Sequence, residues 1–417
     1  MTAGYELAKK GHQVVVFESD PEPGGLIGTI PSGDQDLERF YHHIFTSDTD
    51  LISLLEELGL LQHLEWMEPR NGFFTNGTLY PFTTPFDLLR FKELSFRERM
   101  ALGLLVFKAK SVSDWRSLEK ELAKDWVIKN AGRNVYDKVW GPLLQAKFDD
   151  DAEAISAVWL WNKFKLRGST RDKNLNRELL GYLSDSFGAF IRSLVDKIGQ
   201  LGGSVRCSTA VERIASNPDD SLRIMTAAGD MDFDRVIVTC APEKLIGIMP
   251  ELPAAYVAEL RKIQYKANIC LLLELSEPIS PYYWISVADS DLPFVAMIEH
   301  TNLVRDERYQ SHIVYLSRYL DAQNQLCHAS NAAIIAEFCA GVKQIFPYWN
   351  EKTIKKATVS RARYAQPVIG TGYSSLKPAI QTPIANLYLA CMAQIYPEDR
   401  GQNYAVRMGR KLASQLQ

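Results

Sequence analysis

A chain of 417 residues has room for roughly two or three domains of ordinary size, each with its own apolar core. Its 46% hydrophobic and 23% charged residues suit a soluble globular protein, and a formal net charge of -3 lacks the concentrated positive field that non-specific nucleic-acid binding needs. Six scattered cysteines (Cys207, Cys240, Cys270, Cys327, Cys339, Cys391), with no CxxC pair, argue against a disulfide framework and a metal site. They fit free thiols in a reducing cytoplasm.

Thr2 to Lys10 reads as a helix stopped by Gly11, with His12–Gln13 as a tight turn. VVVF (Val14 to Phe17) has the β-branched and aromatic make-up of a parallel strand buried on both faces, and Glu18 ends it. The loop SDPEPGG follows, with Pro21 and Pro23 as breakers and Gly24–Gly25 open to positive φ. Helix, turn, strand and acid make the back half of a βαβ unit. The carboxylate that holds the ribose of a dinucleotide stands about 20 residues after the first glycine of the fingerprint loop. Counting back from Glu18, those glycines fall just before Met1, so the expectation is a start codon set too late in the gene record, with about a dozen residues preceding it. On the residues alone, Glu18 also reads as an ordinary polar strand end.

LISLLEELGLL (Leu51 to Leu61) is an amphipathic helix, and NGFFTNGTLYPF is a hairpin about Asn76–Gly77. A Lys-, Arg- and Trp-rich stretch then reads as helical to about Asp149. Its longest apolar run, MALGLLVF (Met100 to Phe107), is far short of the ~20 residues of a membrane span. Flanked by Arg97, Arg99, Lys108 and Lys110, it is read as a buried helix, with a peripheral membrane contact as the alternative. The helix-then-strand rhythm returns at SDSFGAFIRSLVDKIGQLGGSVRC, DRVIVTCAP forms another strand, and strands recur at 267–274 and 313–317. The tail NLYLACMAQIYPEDRGQNYAVRMGRKLASQL is a strand, a loop and a closing helix.

Several separate blocks carry a family likeness: MTAGYELAKKGHQVVVFE, EPGG, GGSVRCSTAVERI, FYHHIF, LYPFTTPFDLLRF, WGPLLQAKF, ISAVWLWNKFKLRGSTR and the tail. Together they resemble the flavin-dependent amine oxidase, protoporphyrinogen oxidase and phytoene desaturase superfamily, over nearly the whole chain. The resemblance implies an α/β fold, with a Rossmann-like FAD-binding domain assembled from separated segments and an inserted α+β substrate domain. The segments expected are 1–64, 179–265 and 361–417 for FAD, and 65–178 (mainly helical) and 266–360 (strand-rich) for substrate. It also implies FAD as cofactor and hydride abstraction onto the flavin from a small-molecule or lipid-like substrate. Glu18, Gly24, Gly25, Val211, Gly401, Tyr404 and Ala405 are the implied cofactor residues.

The chain departs from the family pattern in places. Glu22 replaces an Arg before Gly24–Gly25, and the tail has Ala390–Cys391–Met392 where Ala-Gly-Asp is usual. That acid is missing unless Glu398 or Asp399 supplies it. The lysine that many amine oxidases carry near the flavin is displaced too, since YKANICLLLEL offers only Lys266.

His42, His43 and His300 are the catalytic candidates, as groups able to relay protons near neutral pH. Arg167 and Arg171, with Lys165, are candidates for gripping an anionic substrate group. Tyr80 and Trp161, with Trp159 and Phe82, are candidates for pocket walls. Two alternatives stay open: an isomerase similar to the UDP-galactopyranose mutases, and a flavin-free binding protein. The expected partner is a small molecule, with no nucleic acid; the oligomeric state is not legible.

Overall fold

Hydrogen bonding along Val15–Phe17 sets the first piece of the fold: this strand pairs in parallel with Ser204–Arg206, and Val236–Val238 pairs in parallel with Leu387–Leu389. The structure is a computed structural model that describes residues 1–169 and 178–416, without the side chains of 167–169 and Asp306. Val15–Phe17 is half-buried throughout and not enclosed on both faces as its composition suggests, and among the described residues one edge alone is paired. The helices Thr2–Lys9, Ser186–Gln200 and Gln402–Gln415 pack around these parallel pairs. An antiparallel sheet of Val211–Ser216, Leu222–Thr226 and Gly229–Phe233 stands beside them.

The second piece is a seven-stranded sheet. Its order is Ile354–Pro367, Tyr265–Leu275, His312–Leu320, Ala296–Glu299, Trp284–Val287, Asn71–Thr75 and Thr78–Pro81. All its pairings are antiparallel except that of Trp284–Val287 with Asn71–Thr75. Tyr265–Leu275 is buried along nearly its whole length and serves two cores, because successive side chains leave opposite faces of a strand. Ile269, Leu271 and Leu273 meet Ile334, Phe338 and Val342 of the helix Asn331–Ile345. Cys270 and Leu272 enter the cluster of Leu51, Leu54, Tyr182 and Phe187 on the nucleotide-type side. The predicted hairpin is present, with φ of 49° at Asn76 and 70° at Gly77, as a tight two-residue turn requires.

The third piece is a helical layer containing Phe96–Ser111, Ala123–Ala131, Gly141–Phe148 and Ala157–Ser169. Its core includes Trp126, Phe148, Trp161 and Phe164. The side chains of Ser95 and Glu98 close a reciprocal cap at the start of the first of these helices. That helix buries Leu102, Leu105 and Ala109 but leaves Phe96, Met100, Leu104 and Phe107 exposed. The apolar run at 100–107 is therefore not an ordinary buried helix: apolar side chains cover two of its faces, and the protein covers one.

The closing helix Gln402–Gln415 is held against Thr2–Lys9 at Gly409. A Cβ there would lie 2.9 Å from the Thr2 Cβ and 3.0 Å from the Ala3 nitrogen. Gly409→Val is expected to force the two helices apart at a cost of about 1–3 kcal/mol, read as a lower urea midpoint. An unchanged midpoint would mean that this close approach is not needed.

Candidate functional site

At the end of Val15–Phe17 the Glu18 carboxylate accepts hydrogen bonds from the Asp20 N–H (3.0 Å) and the Ser19 hydroxyl (3.2 Å). Gly24 has φ of 129°, and a Cβ there would fall 2.5 Å from Ile191 Cδ1, so only glycine fits. Gly25, at φ of 57°, faces open space. A cavity of about 650 Å³ lies beside it, lined by Gly25, Arg39, Phe40, Ala241, Tyr265 and Met392 among others. Val211 opens the three-stranded antiparallel sheet at a register shift and is half-buried.

A second candidate element is the segment leading into the closing helix. Gly401 caps this helix with no side-chain hydrogen bond, and the first helical bond runs from the Ala405 N–H to the Gly401 carbonyl (3.1 Å). Gly401 is extended (φ -177°), and the nearest obstacle to a Cβ is the Tyr404 ring at 3.6 Å, so neither conformation nor crowding demands glycine. Ala405 is exposed. Tyr404 is half-buried under the Arg407 guanidinium, and burial pushes its hydroxyl up to about 12. Buried polar atoms without a protein partner gather in this region of the chain: both amide atoms of Gln402 and the Arg400 Nε.

Of the two acids left open by the sequence, Glu398 turns out to a salt bridge with Arg407 (3.2 Å), while Asp399 turns in and is 7% exposed. Asp399 accepts hydrogen bonds from Trp159 Nε1 (3.2 Å), Gln366 Nε2 (3.1 Å) and Lys163 Nζ, and its own N–H donates to Asn162 (3.1 Å). Burial works to raise its pKa, but Lys163, Lys147 and Arg400 prevail and hold it well below the usual carboxylate range. Burial pushes the Lys147 ammonium down to about 8 against the pull of Asp399. Arg400 donates to the Tyr319 hydroxyl (2.9 Å).

The three histidines part company. His42 Nδ1 sits 2.7 Å from the Phe40 carbonyl, which can only accept, so Nδ1 carries the proton and Nε2 keeps its lone pair. Burial, with Arg400 adding to it, pushes this ring down to about 4, so it is neutral at pH 7. His43 packs among Phe45, Tyr283 and Trp284, with Nδ1 3.0 Å from the Tyr283 hydroxyl. His300 does not fit a catalytic role: it is 3% exposed, bonded to the Tyr309 hydroxyl (3.0 Å) and packed on Tyr182 and Tyr315.

Other expectations are corrected as well. Trp161 lies in the helical core, its indole N–H spent on the Ala109 carbonyl (2.8 Å), whereas Trp159 reaches Asp399. Tyr80 donates to Glu93 (2.9 Å) and packs on Phe91, inside the same layer. Lys165 is exposed and lies over the Trp161 ring. Arg171 and the Arg167 side chain lie outside the described residues. Lys266 is bound to Asp151 (2.8 Å) and Asp321 (2.9 Å). The sequence reading missed Lys147, Lys163 and Arg400. A signal existed in Trp159 and Lys163, which share a helix face at a spacing of four.

A parallel-strand end with an acid, a positive-φ glycine pair and an uncapped helix start is the architecture of a dinucleotide-binding α/β protein. The chain belongs to the flavin containing amine oxidoreductase family, whose model matches residues 1–415, and this membership assigns FAD as the cofactor. It is 23% identical to a zeta-carotene desaturase of Capsicum annuum over 300 residues, 66% of this chain and 50% of that protein. The chain thus spans about half the length of this curated relative. Among solved structures it is similar in fold to an oxidoreductase from Methanosarcina mazei (TM-score 0.74, 16% identity, 99% of this chain and 97% of that one). The cyclohexylamine oxidase of Brevibacterium oxydans is similar too (TM-score 0.73, 13% identity, 100% and 95%). The residues present fit the cofactor: the cavity, the open face of Gly25 and the unpartnered amide atoms of Gln402 are what such a group would satisfy.

Behind His300, the buried Glu38 accepts from the Tyr182 hydroxyl and the Phe187 N–H (2.8 Å each), and burial pushes its carboxyl up to about 7. Native Glu38 therefore holds a proton that the unfolded chain releases near 4.5, so its contribution to stability is lost as pH rises from 4.5 to 7. Glu38→Gln is expected to raise Tm at pH 8, with the gain vanishing at pH 5. A gain of equal size at both values would show that this carboxyl titrates as an ordinary one.

Proposed function

We propose that this protein is an FAD-dependent oxidoreductase that takes hydride from a C–H bond of a small or lipid-like molecule. The observation that carries the reading is the cavity that Gly25, in its positive-φ turn, lines together with Arg39, Ala241 and Met392; the closing helix start, whose buried Gln402 amide lacks protein partners, adds support. When bound, the flavin supplies a two-electron acceptor that no side chain can replace. The residues here bind and orient. Glu18 would hold the ribose hydroxyls, the backbone at Gly24, Gly25 and Gly401 would approach the phosphates, and Val211 would flank the adenine. The neutral His42 offers an acceptor nitrogen for a substrate proton at pH 7.

Purified protein titrated with FAD is expected to quench flavin fluorescence, and Glu18→Ala should weaken that binding about tenfold, the worth of hydrogen bonds to a charged acceptor. A protein that takes up no FAD would overturn the reading.

We also propose that the helical layer rests on a membrane surface. Phe96, Met100, Leu104 and Phe107 form one stripe along their helix, with Phe86 and Leu89 beside it; Phe86 is 70% and Leu104 63% exposed. Exposed Arg90, Lys92, Arg97, Lys108 and Lys110 flank the stripe, complementary to anionic lipid. Among the described residues no helix is long and apolar enough to cross a membrane. Sedimentation with vesicles of phosphatidylcholine and phosphatidylglycerol should carry the protein down. The triple change Phe96→Ser, Leu104→Ser, Phe107→Ser should cut the bound fraction about tenfold or more. Equal sedimentation of both proteins, or of neither, would refute the contact.

A further inference from the structure

Three cations and one carboxylate meet where the helical layer, the seven-stranded sheet and the loop before the closing helix converge. Lys147 comes from the helix Gly141–Phe148, Lys163 from Ala157–Ser169 and Arg400 from that loop, with Asp399 between them. Asp399 is already the acceptor for Trp159, Gln366 and Lys163. Among the described residues, Lys147 has no carboxylate within salt-bridge distance; its ammonium rests 4.6 Å from the centre of the Tyr319 ring and 5.8 Å from that of Trp159. Among the described residues no second anion comes to hand: Glu398 pairs with Arg407, and Glu38 is held by Tyr182 and Phe187. The nearby His42 is neutral at pH 7.

Among the described residues, two positive charges thus stand here without a counter-ion. Charge withdrawn from water without a partner is unfavourable. Lys147 and Arg400 are only half-buried, so part of each side chain remains open to a ligand. Arg400 Nε is an unpartnered donor. The donors are therefore in surplus, built on rigid elements and flanked by aromatic rings.

We infer that this protein acts on a substrate bearing an anionic group, a carboxylate or a phosphate, which Lys147, Lys163 and Arg400 receive. The inference rests on the oxidoreductase reading above and gives it a substrate class. The anionic group supplies the missing charge, Arg400 Nε and the two ammonium groups donate to its oxygens, and Trp159 and Tyr319 pack against the body of the molecule. A protonated amine in the same place would meet the surplus positive charge and be repelled. Lys147 and Lys163 belong to the helical layer, whereas the cofactor residues Glu18, Gly24, Gly25 and Gly401 belong to other segments, so the two lysines are assigned to substrate and not to the FAD phosphates.

The test is calorimetric titration of the FAD-loaded protein at pH 7 with three ligands of one shape: benzoate, phenyl phosphate and benzylamine. At least one of the two anions is expected to bind and benzylamine to fail, the tighter anion identifying the group. Lys147→Met and Lys163→Met should each weaken that anion about tenfold with FAD retained, and Lys147→Arg and Lys163→Arg should largely restore it. Benzylamine binding as well as the anions, neither anion binding, or Met variants that bind as the parent does would each overturn the inference. Loss of FAD together with the anion would overturn it too, by assigning the cations to the cofactor. Flavin uptake without anion binding removes this inference and leaves the oxidoreductase; anion binding through these lysines in a protein that takes up no FAD removes the oxidoreductase reading instead.

Discussion

The arrangement of the site depends on one buried carboxylate. Asp399 draws donors from the helix Ala157–Ser169 and from the strand Ile354–Pro367, and its backbone N–H is fixed on Asn162. A helical layer, a sheet and the loop before the closing helix are thereby tied at a single point. Such a carboxylate must stay charged to accept three donors, and the surrounding cations keep it so. The same cations exceed what one aspartate can neutralise. A group that organises the fold therefore leaves an electrostatic surplus at the place where a ligand would sit.

Around that point the molecule divides its apolar work. The strand Tyr265–Leu275 gives alternate side chains to two cores, one under the helix Asn331–Ile345 and one shared with the nucleotide-type segments. A shift of one residue in its register would exchange the two sets, so the pairing on both its edges is strongly specified. The nucleotide-type segments and the large sheet are thus held in one relation, and the cavity beside Gly25 lies between them.

The aromatic residues show how position and not type decides a role. Trp159 and Trp161 lie two residues apart on one helix, so they leave it on nearly opposite sides, about 200° apart. Trp159 reaches a charged acceptor at the site, and Trp161 spends its N–H on the Ala109 carbonyl inside the helical core. His42 and His300 differ likewise: one is held by a backbone carbonyl close to Arg400, the other is enclosed by three tyrosines.

The sequence by itself determined the local features that depend on neighbours in the chain. These include the strand ending in Glu18, the turns at Gly24–Gly25 and Asn76–Gly77, the closing helix and the family to which the blocks belong. Such features follow from backbone sterics and short-range periodicity, which a linear reading captures. The tertiary structure alone decided which side chains share a space. Lys147 and Lys163 stand on different helices, far along the chain from Asp399 and Arg400, and no periodicity links the two pairs; only the packing of the layers brings the lysines to Asp399. It also decided which face of Phe96–Ser111 is covered, since a helix with apolar residues on two faces does not say which one its neighbours will take. Charge and burial at a site are sums over the whole fold, and the chain order carries neither sum.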